Sequence, residues 1–101
     1  MYNVHHDYDD YEKRINAAIQ MAAESCAMCP CEVEVFAVKA SKPSGAKFLK
    51  EAADSAYERF CQARETGADV ETLRRLGIRF QILATLEEAA KIRARMEDAA
   101  A

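Results

Sequence analysis

A proline at position 30 divides this chain more sharply than any other residue. Proline locks its own φ, removes a backbone donor and disfavours helical geometry in the residue before it, here Cys29. A helix arriving from the N-terminal side is therefore expected to stop by about Met28. Its start is expected near Asp9, because Asp9 with Glu12 three residues later forms an Asp version of the capping box. Between these limits Tyr11, Ile15, Ala18, Ile19, Ala22 and Cys26 recur at helical spacing and predict an inward face. Lys13, Asn16, Gln20 and Glu24 occupy the opposite side.

Beyond Pro30 the pattern changes. Glu32 to Ala40 reads as a strand, since Val33, Val35 and Val38 are β-branched and Phe36 lies among them. Its alternation weakens after Phe36, as in a strand covered on both faces. Ser44 is a plausible N-cap for a helix with the stripe Phe48, Leu49, Ala52, Ala53, Ala56, Phe60 and Ala63, closed by Gly67. Asp69 predicts the cap of a short helix carrying Val70, Leu73 and Leu76, with Gly77 as its C-terminal stop.

Two readings fit the remainder. In the favoured one, Ile78, Phe80 and Ile82 alternate with Arg79 and Gln81 as a half-buried strand, and Thr85 with Glu88 caps a final helix from Leu86 to Glu97. In the other, Thr72 to Glu97 is one helix interrupted by Gly77. The expected fold is thus α+β, or small α/β, with four helices and a sheet of two or three strands; an all-α helical bundle is the alternative. A two-stranded sheet is marginal in water. Tyr2 and Val4 could add an edge strand, or a second copy of the chain could pair along an edge, which predicts a homodimer.

The length of 101 residues suits one domain, with residues 1–7 and 98–101 expected to be flexible ends. No segment approaches the ~18–20 apolar residues of a membrane helix, and Met1 to Tyr11 lacks the basic-then-apolar order of a signal peptide. A cytoplasmic location with reduced thiols is the expectation. The net charge of −3 argues against a general nucleic-acid surface. Arg74, Arg75 and Arg79, with Lys91, Arg93 and Arg95, are balanced by Glu71, Glu87 and Glu88.

The least ordinary motif is Cys26-Ala27-Met28-Cys29-Pro30-Cys31. Cys26 and Cys29 have a two-residue gap common in zinc sites, Cys31 could fold back at the Pro turn, and Cys61, His5 or His6 could supply a fourth ligand. Against this, a second two-ligand unit is missing, and Cys61 lies beside an apolar stripe where a buried thiol is ordinary. A redox pair is disfavoured because Cys26 and Cys29 fall at the C-terminal end of the first helix, where the dipole opposes thiolate.

Two further segments could bind something. Ser41 to Lys47 joins a predicted strand to a predicted helix, and Ser44, Gly45 and Lys47 would suit a phosphate or other small anion. It does not match a phosphate-loop motif. Tyr8, Asp9, Asp10 and Tyr11 form an acidic–aromatic patch suited to a basic protein partner. No nucleophile elbow, zinc-protease helix or kinase signature is present. The sequence therefore predicts a small non-catalytic interaction or regulatory protein that binds a macromolecule, an inhibitor being one form of it. Zinc binding through Cys26, Cys29 and Cys31, with Cys61, is the second reading, and small-anion binding at Ser41–Lys47 the third.

Overall fold

The structure, a computed structural model, describes residues 4–100. Its element order is four helices: α1 (Val4–Ser25), α2 (Pro30–Ala40), α3 (Gly45–Glu65) and α4 (Val70–Ala100). Among the described residues there is no strand, so the all-α alternative describes the fold and the α+β expectation is overturned. Val4 lies within α1 rather than in an edge strand, and Tyr2 falls outside the described residues. Segments 4–7 and 98–100 belong to α1 and α4; residues 1–3 and 101 lie outside the described residues.

Each correction has a local cause. Pro30 does end the first helix, at Ser25, but it then opens a second helix instead of a strand. Proline's fixed φ and missing N–H suit the first helical position, where that donor would have no intrahelical partner. Cys29 is the N-cap, in extended conformation. Val33, Val35 and Val38 are therefore helical, their β-branched preference outweighed by Pro30 at the first helical position and by the packing of Val33 and Phe36 on the bundle.

The expected short helix, strand and final helix are one unbroken helix, α4, of 31 residues. Asp69 caps it as expected, accepting a hydrogen bond from the Thr72 N–H at 3.0 Å. Ile78, Phe80 and Ile82 alternate because α4 packs on both sides. Ile78 lines a groove with Met21 and Ser25 of α1, whereas Phe80 stacks on Tyr57 of α3, ring centres 5.3 Å apart. A helix held between two others needs apolar residues on opposite sides, and over a few residues that resembles the strand period.

Gly77, expected as a helix stop, sits inside α4; Gly67, after α3, is the glycine with positive φ, at 77°. The Gly67 N–H bonds to the Arg64 carbonyl and the Ala68 N–H to that of Ala63, closing α3.

Cross-helix contacts fix the topology. Arg93 lies over the Tyr11 ring, and Glu24 and Ser25 share a groove with Arg74, so α1 and α4 run antiparallel. Phe60 lies beside Gly77, and Lys50 senses the charges of Glu87 and Lys91, so α3 and α4 are also antiparallel. The short α2 packs on all three other helices, while the backbones of α1 and α3 make no close approach among the described residues. The result is an up-down-up-down bundle 50 Å long and 23 Å across. A 31-residue helix is ~46 Å long at 1.5 Å per residue, so α4 alone sets the length.

The core consists of Leu49, Val33, Ile82, Leu83 and Leu86, packed with Ala18, Ala22, Ala40, Ala53, Ala56 and Ala90. The alanines expose little to lose but let helix axes approach closely. In the turn between α2 and α3, a Cβ on Gly45 would fall 1.8 Å from the Lys39 carbonyl oxygen, so this corner requires glycine.

Two glycine substitutions are expected to act in opposite directions. At Gly77 an added Cβ meets the Phe60 ring at 3.6 Å, an ordinary contact. Gly77→Ala should therefore stabilise the protein by about 0.5–1 kcal/mol, the helix-propensity difference. Gly45→Ala forces the corner apart and should cost about 1–3 kcal/mol. Chemical denaturation of both variants checks the pair.

Candidate functional site

The sequence-predicted residues fall in three places. The first is the α1–α2 corner. Cys26 follows α1 in the left-handed region, φ 56°, and its N–H still bonds to the Ala22 carbonyl at 3.1 Å. Cys29 caps α2 and Cys31 lies in its first turn. All three thiols are free and exposed, while Met28 between them is buried and anchors the corner. Cys61 is half-buried on α3. Among the described residues no group of three or more His, Cys, Asp or Glu side chains is arranged to hold a metal ion. Three of the four thiols thus lie along residues 26–31 at the α1–α2 corner. Cys26 follows the C-terminus of α1, whereas Cys29 and Cys31 sit at the N-terminus of α2, so the pair is divided between two helix ends.

The second place is the α2–α3 corner. Ser44 occupies the N-cap position of α3 without a side-chain capping bond. Gly45 is buried and its N–H is already given to the Lys42 carbonyl at 2.9 Å. Ser41 donates its hydroxyl back to the Val38 carbonyl at 2.7 Å. The loop therefore spends much of its polar capacity on its own turns. Lys42 and Lys47 project into solvent, and neither has a carboxylate partner among the described residues.

The third is the start of α1. Tyr11 is turned toward α4 under the Arg93 guanidinium, 5.6 Å from its ring centre, and burial pushes its hydroxyl pKa up. Asp10 pairs with Arg14 at 3.4 Å. Tyr8 and Asp9 remain exposed, Tyr8 stacked at 6.4 Å on Tyr11. The four residues thus divide into a packed pair and an outward pair.

The feature the sequence reading missed is the outer side of α2. Val33, Phe36, Ala37 and Ala40 face the bundle at helical spacing. Cys31, Val35 and Val38 occupy the opposite stripe, with Val35 58% and Val38 57% exposed. Flanked by Glu32, Glu34 and Lys39, the helix thus carries an apolar stripe on its outer as well as its inner side. The exposed Phe48 extends the patch onto α3, stacked on Phe36 at 6.1 Å, with the Lys39 ammonium 5.1 Å over its ring. Counting residues 31–40 with a period of 3.6 rather than 2 would have revealed both stripes.

One ion pair fixes α2 on the bundle: the Arg79 guanidinium of α4 forks onto both carboxylate oxygens of Glu32. The hydrogen bond from Arg79 holds the Glu32 carboxyl below its usual range. At the hairpin end, Arg74 and Arg75 both bond Glu71, whose pKa falls to about 2, chiefly through the Arg74 hydrogen bonds.

The thiol arrangement predicts a graded chemical reactivity. In the folded protein a water-soluble disulfide reagent should modify Cys26, Cys29 and Cys31 rapidly and Cys61 more slowly, as accessibility requires. Timed labelling followed by peptide mass mapping gives the order. Equal slow reaction of all four, released only by denaturant, would contradict the exposed corner.

No family model matches this chain, and no curated protein or solved structure gives a significant match.

Proposed function

We propose that this chain is a non-catalytic interaction module that works in the cytoplasm, where its four free thiols stay reduced, and that it docks a second copy of itself through the outer face of α2. The observation carrying this reading is that α2 is apolar on both sides although the bundle covers one. Covering Val35 and Val38 removes apolar surface from water, at roughly 25 cal/mol per Å². No helix among the described residues is long and apolar enough to cross a membrane.

The choice of a second copy rests on charge and height along the bundle. The acidic start of α1 (Asp7, Asp9, Asp10, Glu12) and the basic start of α3 (Lys42, Lys47) lie toward the same end of α4, near Arg93 and near Glu87 to Lys91 respectively. A two-fold axis parallel to the helices, passing over α2, brings α1 of each protomer beside α3 of the other at equal height. Acid then faces base on both flanks, with α2 against α2 between them. Five of the exposed large apolar side chains, Tyr8, Ile19, Val35, Val38 and Phe48, belong to α1, α2 and the start of α3. The earlier expectation of a dimer through a sheet edge is replaced, since no sheet exists among the described residues.

Sedimentation across a concentration series tests this. The parent protein should form a dimer weakened by salt, because the flanking charges are solvent-exposed. The double variant Val35→Asp/Val38→Asp should be monomeric with unchanged helix content, and Lys47→Glu should weaken the dimer about tenfold, equivalent to about 1.4 kcal/mol. A parent chain that stays monomeric to its solubility limit, or a double variant that still dimerises, would overturn the proposal.

A further inference from the structure

A recess lies in the seam where α2, α3 and α4 meet, with Phe36 contributed by α2. Its floor is apolar, made by Phe36, Ala52, Ala56 and Leu83, and its rim carries Ser55, Arg59 and Arg79; it offers about 160 Å³ of room. Ser55 and Arg59 stand one helical turn apart on α3, so both side chains reach the same seam. Neither has a hydrogen-bond or ion-pair partner among the described residues.

Arg79 is held differently. Its fork onto Glu32 fixes the guanidinium at the mouth and neutralises its charge, leaving its remaining N–H donors for another acceptor. The recess therefore presents one uncompensated positive charge, from Arg59, a hydroxyl from Ser55 and a preorganised guanidinium edge, all above hydrocarbon. From this combination we infer that the seam binds a small organic monocarboxylate: the carboxylate is bonded by Arg59, Ser55 and Arg79, and a short aliphatic or aromatic body rests on Phe36 and Leu83.

The chemistry discriminates among anions. A carboxylate matches the bidentate geometry of a guanidinium. A dianion such as phosphate gains nothing from the apolar floor. A neutral molecule of the same shape leaves Arg59 without its counter-charge. This site is separate from the outer face of α2, and ligand binding here is independent of whether the chain dimerises.

The test uses benzoate as the probe, titrated into the full-length protein with amide chemical shifts as the readout. Benzoate should shift the amides around Ser55, Arg59 and Arg79 saturably, with benzyl alcohol and inorganic phosphate at least tenfold weaker. Arg59→Met should weaken benzoate at least tenfold while retaining the helical spectrum. Glu32→Gln frees the Arg79 charge and should tighten benzoate severalfold. The inference is overturned if benzoate leaves the seam amides unmoved, if phosphate binds as well as benzoate, or if Arg59→Met binds like the parent. Tightening by Glu32→Gln together with loss in Arg59→Met separates an electrostatic site from a merely hydrophobic dent, which would respond to neither.

Discussion

The bundle depends on α4 being apolar on more than one side. Ile82, Leu83, Leu86, Ala89 and Ala90 are essentially removed from water, and the helix carrying them touches each of the other three. Because the backbones of α1 and α3 stay apart among the described residues, α4 is the main surface on which each buries its stripe. The contribution of α4 is thus shared: every helix gains its burial from the same spine, and loss of helical continuity in α4 would remove the partner of all three. This is also why the chain can spend so many core positions on alanine. Small side chains gain little individually, but they let axes approach until the larger residues of α4 are fully enclosed.

Much of the organisation was legible from residues whose meaning is local. Pro30 marked the end of the first helix, Asp69 marked the next cap, and Gly67 marked a helix stop, because capping and φ restriction act within a turn of the residue that causes them. The strand expectations failed where meaning is set by neighbours far along the chain. Val33, Val35 and Val38 prefer strands in isolation, yet Pro30 at the first helical position and the fit of Val33 and Phe36 against the bundle decide otherwise. Ile78, Phe80 and Ile82 imitate a strand because two helices flank α4. Gly77 looks like a stop until Phe60 is seen filling the space beside it.

The candidate site shows the same division. That three thiols cluster at the α1–α2 corner follows directly from their spacing, and their exposure fits a turn between two helices. The outer face of α2 was hidden by the wrong period, since under a strand reading Val35 and Val38 lie on opposite sides. The seam at Arg59 was not legible at all: Phe36, Ser55, Arg59 and Arg79 come from three helices, and only the bundle brings them together. Likewise the Glu32–Arg79 pair spans 47 residues of sequence. What the fold adds to the sequence is therefore two surfaces on opposite sides of α2, one apolar and outward at Val35 and Val38, the other recessed beside Phe36 and carrying Arg59 and Arg79.

The bundle requires α4 to run without interruption through Gly77 as the common partner of the other helices. Backbone carbon chemical shifts and sequential amide contacts across residues 70–100 measure this directly. Continuous helical shifts from Leu73 to Met96, with contacts between side chains of Tyr57 and Phe80 and of Tyr11 and Arg93, are the predicted result. Extended-type shifts over Ile78 to Ile82, or a left-handed Gly77 separating two helices, would contradict it.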